Sequence, residues 1–267
     1  MTRPFVFGTN FKMNQTPAES AAFYRQLAAS VALRAPVPPD VHLFVIPPYT
    51  SLSAVTEVAD QPHPIWLGAQ NVHWAPDGAY TGEISVGMLL ALGVDLVLLG
   101  HAERRRYFHE TDVELNLKVL AALGAGLRVL LAVGETAEER SFAVGGETVL
   151  RQLKIGLHNV QPAHLQLLQI AYEPVWSIGA GGIPASPKDV EPVARSIRSG
   201  LADLFGEPGG EIPILYGGSV DPQNAATFTA LPDIDGLFVG RAAWTVDGFI
   251  ATYQAGLAGR AGDRVIG

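Results

Sequence analysis

Residues 167–206 read "LLQIAYEPVWSIGAGGIPASPKDVEPVARSIRSGLADLFG". The stretch from Leu167 to Glu173 is apolar on nearly consecutive positions, as suits a parallel strand covered on both faces. A glycine-rich loop follows, and Pro187 then opens a helical segment, the position where proline is best tolerated. One carboxylate, Glu173, stands where the strand leaves the core. If this strand–loop–helix unit recurs along the chain, it decides the fold.

It does recur. Further strands are expected at Phe5 to Thr9, Val41 to Ile46, Ile65 to Gln70, Val94 to Leu99, Leu127 to Val133, Ile212 to Tyr216 and Gly236 to Val239. Helical patterns lie between them. Thr16-Pro17-Ala18-Glu19 is a capping box ahead of "SAAFYRQLAASVALR", and "TDVELNLKVLAALGAG" has apolar residues at helical spacing. Asp221-Pro222 is expected to open the seventh helix. Eight such units over the 267 residues match an α/β fold of the (β/α)₈ barrel type, about 250 residues long. A doubly wound open sheet shares the alternation and is the rival. No linker or short repeat divides the chain, so residues 1–267 are expected to form one domain.

Composition narrows the function. The chain has 26 acidic and 18 basic residues, a net charge of −8, and no basic stripe of the kind that binds nucleic acid. An anionic ligand would need local donors in place of a general positive field. There is no cysteine, which removes disulfides and thiol chemistry. No signal peptide or membrane span is read, so a cytoplasmic protein without membrane partners is expected.

In a barrel the chemistry sits at the C-terminal strand ends. Strand one ends in "GTNFKMN", with Asn10 and Lys12; strand four ends in "LGHAERRRYF", with His101; strand six ends in Glu173. Taken singly, the lysine reads as an ordinary surface residue and the histidine as a satisfied polar group. Together they put an ammonium, an imidazole and a carboxylate on one rim. His101 precedes a short helical turn whose N–H groups favour the neutral ring, and Glu173 emerges among apolar residues that suit a base. Strands seven and eight end in "YGGSV" and "VGRAAW", with Ser219, Gly240 and Arg241. Glycine turns at these two strand ends are where barrels commonly seat a phosphate. No metal-ligand spacing, phosphate-loop motif, dinucleotide fingerprint or nucleophile elbow is present. What is left is a cofactor-free, metal-free reaction on a small phosphorylated substrate.

The motifs "TNFKMN", "GAQNVHWAPDGAYTGEIS", "LGHAERR", "VGET", "AYEPVWSIG", "YGGSV" and "DGLFVG", in this order, resemble the triosephosphate isomerase family over nearly the whole chain. That enzyme is a standard example of pKa tuning and loop closure, so the roles that follow are implied by the resemblance. Glu173 would take a proton from the carbon beside the substrate carbonyl. His101 would donate a hydrogen bond to the carbonyl oxygen, with Asn10 in support. Lys12 would offset the negative charge, with Glu103 as its partner. Gly179, Ser219, Gly240 and the Arg241 backbone would hold the phosphate, and residues 174–184 would close as a lid. Thr81 matches a residue that family dimers insert into the neighbouring subunit, which implies a homodimer.

The sequence also departs from the family pattern. Ala102 stands where a serine usually holds the glutamate, and Ala132 where a cysteine usually packs near it. The lid reads "GAGGIPASP", about one residue longer than usual, and Arg241 replaces the second glycine of a pair. The side chain of Arg241 is expected to point away from the phosphate or to reshape the site. The resemblance thus implies an isomerase of triose phosphates, with a role in glycolysis and gluconeogenesis. Its alternatives are an isomerase of four-carbon ketose phosphates and, more remotely, a phosphate-binding barrel without turnover.

Overall fold

Eight parallel strands, β1 (Phe5–Asn10), β2 (Val41–Ile46), β3 (Trp66–Ala69), β4 (Leu96–Leu99), β5 (Arg128–Val133), β6 (Leu168–Tyr172), β7 (Ile214–Tyr216) and β8 (Gly236–Val239), form the centre of the molecule. The computed structural model describes residues 3–59, 65–179 and 181–263. Each strand pairs with the next in sequence, and β8 returns to β1 with Val6 opposite Gly236. The sheet is therefore a closed barrel, and the open doubly wound alternative is excluded.

The consecutive apolar pattern has a direct structural cause. Side chains alternate across a strand, and here both faces are covered. Val6, Phe44, Leu96, Leu98, Leu130, Ala171, Leu215 and Phe238 form one buried cluster. Their strand neighbours, among them Phe5, Phe7, Leu43, Val45, Val97, Leu131 and Ile170, belong to a larger cluster that also contains residues of the helices. At the closing seam, a Cβ on Gly236 would lie 1.8 Å from the Val6 carbonyl oxygen. Only glycine lets β8 approach β1 so closely.

Capping boxes open three of the long helices. Thr16 and Glu19 form a capping box at Pro17–Arg34, Thr111 and Glu114 at Asp112–Gly124, and Ser186 and Asp189 at Pro187–Phe205. The Ser186 bonds hold the Asp189 carboxyl below its ordinary pKa.

The seventh helical segment opens at Asp221-Pro222, but its regular α-helix begins only at Ala225. Asp221 Oδ1 accepts the N–H groups of Gln223 and Asn224, at 2.9 and 3.0 Å, as an N-cap does. The Ala225 N–H also reaches the Asp221 carbonyl at 3.0 Å, so the Asp-Pro pair opens a turn that leads into the helix Ala225–Thr229. Strand edges move too. β4 begins at Leu96, because Asp95 is engaged beside β3, its carboxylate accepting the Leu67 N–H at 2.9 Å. Leu167 ends a 3₁₀ turn before β6, and Glu173 lies just past that strand. Among the described residues, no helix is long and apolar enough to cross a membrane.

Candidate active site

The end of β1 is fixed from three sides. Asn10 Oδ1 accepts the Lys12 N–H at 2.8 Å and the Gln70 side-chain amide at 3.2 Å. The same Gln70 amide donates to the Lys12 carbonyl at 2.7 Å, and the Trp244 indole N–H donates to the Asn10 carbonyl at 2.9 Å. Lys12 is held at φ 54°, a conformation rare outside glycine. Its ammonium reaches Glu103 Oε1 at 2.6 Å. The sequence reading named Asn10, Lys12 and Glu103, and the structure brings the three together. It did not single out Gln70 or Trp244, though both fall within motifs quoted above.

The end of β4 supplies the imidazole. His101 caps the helix Ala102–Tyr107, and its Nδ1 accepts the Glu103 N–H at 3.1 Å. A nitrogen that accepts carries no proton, so this bond leaves the ring's proton on Nε2. Nε2 lies 3.4 Å from Glu173 Oε1. Both residues are buried, at 4% and 3% exposure.

Glu173 has a second anchor. Its Oε2 accepts the backbone N–H of Ala102 at 3.0 Å. The serine hydroxyl that the resemblance expects at position 102 is absent, but the main chain of that residue still holds the carboxylate. The neighbouring strand end is packed tightly behind it: a Cβ on Gly134 would fall 1.8 Å from the Glu173 carbonyl oxygen.

The root of the proposed lid rests on Glu135. Its Oε1 accepts the Trp176 indole N–H at 2.6 Å and the Tyr172 hydroxyl at 3.1 Å, and its carbonyl accepts the Val175 N–H at 3.0 Å. Burial raises the pKa of the Glu135 carboxyl, opposed by these donors. Arg140 stacks 3.7 Å from the centre of the Trp176 ring and pairs with Asp189 at 2.7 Å. Beyond the 3₁₀ turn Val175–Ser177, Gly179 and Gly181 take φ of 84° and 95°. Residue 180 of the lid lies outside the described residues.

A cavity of about 850 Å³ joins these parts. Asn10, Lys12, His101, Glu173, Gly179, Ser219, Gly240 and Arg241 all line it, together with Phe238 and Trp244. No main-chain acceptor among the described residues takes the N–H of Gly218 or Ser219. Those donors are free for an anion at the mouth of β7. Thr81 is not part of this cavity. It is exposed on the loop after β3 and borders a second hollow of about 400 Å³, with Tyr80, Phe108, Glu110 and Lys118.

Comparison with known proteins identifies the family of the chain. The sequence profile described as "Triosephosphate isomerase" matches residues 4–256. The chain is similar to the L-erythrulose-1-phosphate isomerase of Rhizobium etli, at 43% identity over 91% of this chain and 89% of the relative. It is similar to the triosephosphate isomerase of Carboxydothermus hydrogenoformans, at 43% over 96% of this chain and 100% of the relative. The triosephosphate isomerase of Chlamydia muridarum is 41% identical over 94% and 90%. With a closed barrel, a matching profile and relatives aligned nearly end to end, the chain belongs to the triosephosphate isomerase family.

Proposed function

We propose that the protein is a sugar-phosphate isomerase that interconverts dihydroxyacetone phosphate and glyceraldehyde 3-phosphate. The observation that carries this reading is the pairing of Glu173 and the His101 Nε2 side, 3.4 Å apart, in the cavity that also holds Lys12. Glu173 removes a proton from the carbon next to the carbonyl, and the electron pair moves onto the carbonyl oxygen. His101 donates its Nε2 proton as a hydrogen bond to that oxygen, with Asn10 beside it. Lys12 lowers the cost of the enediolate charge. The proton of the neighbouring hydroxyl passes by way of His101 to the former carbonyl oxygen. Glu173 returns its proton to the former carbonyl carbon as the neighbouring C–O becomes the new C=O, so no electrons are gained or lost overall. The backbone of Gly179, Ser219, Gly240 and Arg241 holds the phosphate, and residues 174–184 close over the substrate to exclude water.

Glu173→Gln keeps the shape and removes the base. Its kcat on glyceraldehyde 3-phosphate is expected to fall about 10²- to 10⁴-fold. Unchanged turnover would sink the proposal. Phosphate binding by the wild type with no isomerisation of any candidate sugar phosphate would restore the reading of a barrel that only binds.

A four-carbon substrate is the second reading. It is favoured by relatives named L-erythrulose-1-phosphate isomerase and by alanine at position 102, beside the base. L-erythrulose 1-phosphate differs by one hydroxymethyl group on the side away from the phosphate, and the same proton transfer acts on it. A higher kcat/KM for this compound than for the triose would reverse the order. The protein is further proposed to act as a homodimer, with Thr81 in the contact.

A further inference from the structure

Arg241 stands in the turn after β8, in the 3₁₀ segment Arg241–Ala243, and it lines the active cavity. The residue is exposed, and none of the ion pairs or hydrogen bonds among the described residues engages its guanidinium. Other arginines of this chain are committed. Arg105 and Arg151 both hold Asp112, Arg140 holds Asp189, and Arg198 holds Asp235. Arg241 keeps its donors unused at the rim of a cavity.

The charges around the cavity give that freedom a meaning. Lys12 and Glu103 are paired at 2.6 Å and largely cancel. Glu173 adds a negative charge, on a chain that carries −8 overall. Without Arg241, a phosphate dianion would approach a site of its own sign. Arg241 brings the cavity close to neutral and offers a planar fork that fits two phosphate oxygens at once. Backbone N–H groups at Gly218 and Ser219 can orient a phosphate but carry no full charge to offset it.

We propose that the Arg241 guanidinium is a ligand for the substrate's terminal phosphate, a specificity group that selects for the dianion. The nature of the sugar rests on the isomerase reading above; the anion contact does not. Two measurements separate them: direct binding of inorganic phosphate, by calorimetry, and steady-state kinetics on glyceraldehyde 3-phosphate and L-erythrulose 1-phosphate. Both use the intact protein, Arg241→Gln and Arg241→Lys.

Arg241→Gln is expected to weaken phosphate binding and to raise KM by about 10- to 100-fold, with kcat held within about threefold, the loss of a charge-assisted pair. Arg241→Lys should recover part of the loss, since it keeps the charge without the fork. The rise of KM with salt should be shallower in Arg241→Gln than in the wild type. Phosphate binding equal to the wild type in Arg241→Gln would overturn the proposal, as would a fall in kcat with KM unchanged. If phosphate binding depends on Arg241 while neither sugar phosphate is turned over, the contact stands and the isomerase reading fails.

Discussion

Lys12 is held in a backbone conformation that its side chain disfavours, at φ 54°, while Gln70 and Asn10 bind both sides of its peptide. Such strain persists only where the surroundings impose it. Here it sends the ammonium toward Glu103 and the cavity. Two variants separate the strain from the charge. Lys12→Gly and Lys12→Ala both lose the ammonium, but only glycine accepts positive φ freely. Lys12→Gly is expected to be more stable than Lys12→Ala by about 1 kcal/mol in urea unfolding, while both are inactive. Equal stability would mean that the conformation is not strained. At this scale much of the site is legible in sequence, because Asn10, Lys12, His101 and Glu173 each sit at or just past the end of a readable strand. The Ala102 N–H that holds Glu173 is not legible, because a main-chain donor leaves no mark on residue identity.

The segment from Pro174 to Ser177 is anchored through one buried carboxyl. Glu135 receives Trp176 and Tyr172 on a single oxygen, and its Oε2 is buried with no hydrogen-bond partner among the described residues. Burial raises its pKa in the folded state above the unfolded value of about 4.3. A raised carboxyl stabilises the fold fully below the unfolded pKa, and that contribution is lost as pH climbs through the folded one. Stability should therefore decline from the ordinary carboxylate range up to the raised value. Glu135→Gln keeps an oxygen for Trp176 and does not titrate, so its melting temperature should decline less over that window. Identical pH profiles for the two proteins would rule the linkage out. "VGET" was readable as a strand end, but its contacts beneath the proposed lid were not. The contact joins positions 135 and 176, and no local pattern encodes that proximity. Asp221-Pro222 is the opposite case, a local cap signal that reads correctly because the aspartate oxygen takes the N–H groups two and three residues on, although the regular helix starts only at Ala225.

Closure of the barrel was legible only in part. Eight alternating units suggested it, yet what distinguishes a barrel from an open sheet is the pairing of β8 with β1, and that rests on the close approach at Gly236. Assembly beyond one chain is tested at the exposed loop after β3. Thr81→Arg would place a bulky charge in the proposed contact, so sedimentation equilibrium should give half the wild-type mass; an unchanged dimer would assign the contact elsewhere. The bond from the Trp244 indole to the Asn10 carbonyl links residues 234 positions apart and completes one wall of the cavity. During synthesis Asn10 leaves the ribosome 234 residues ahead of Trp244. At roughly 5 to 20 residues per second, the gap is about 12 to 47 seconds. Through that interval the nascent chain carries its lysine and histidine without the wall that completes their pocket. The wall is thus closed only after Trp244 has been made, and a chain that stops short of Trp244 would lack it.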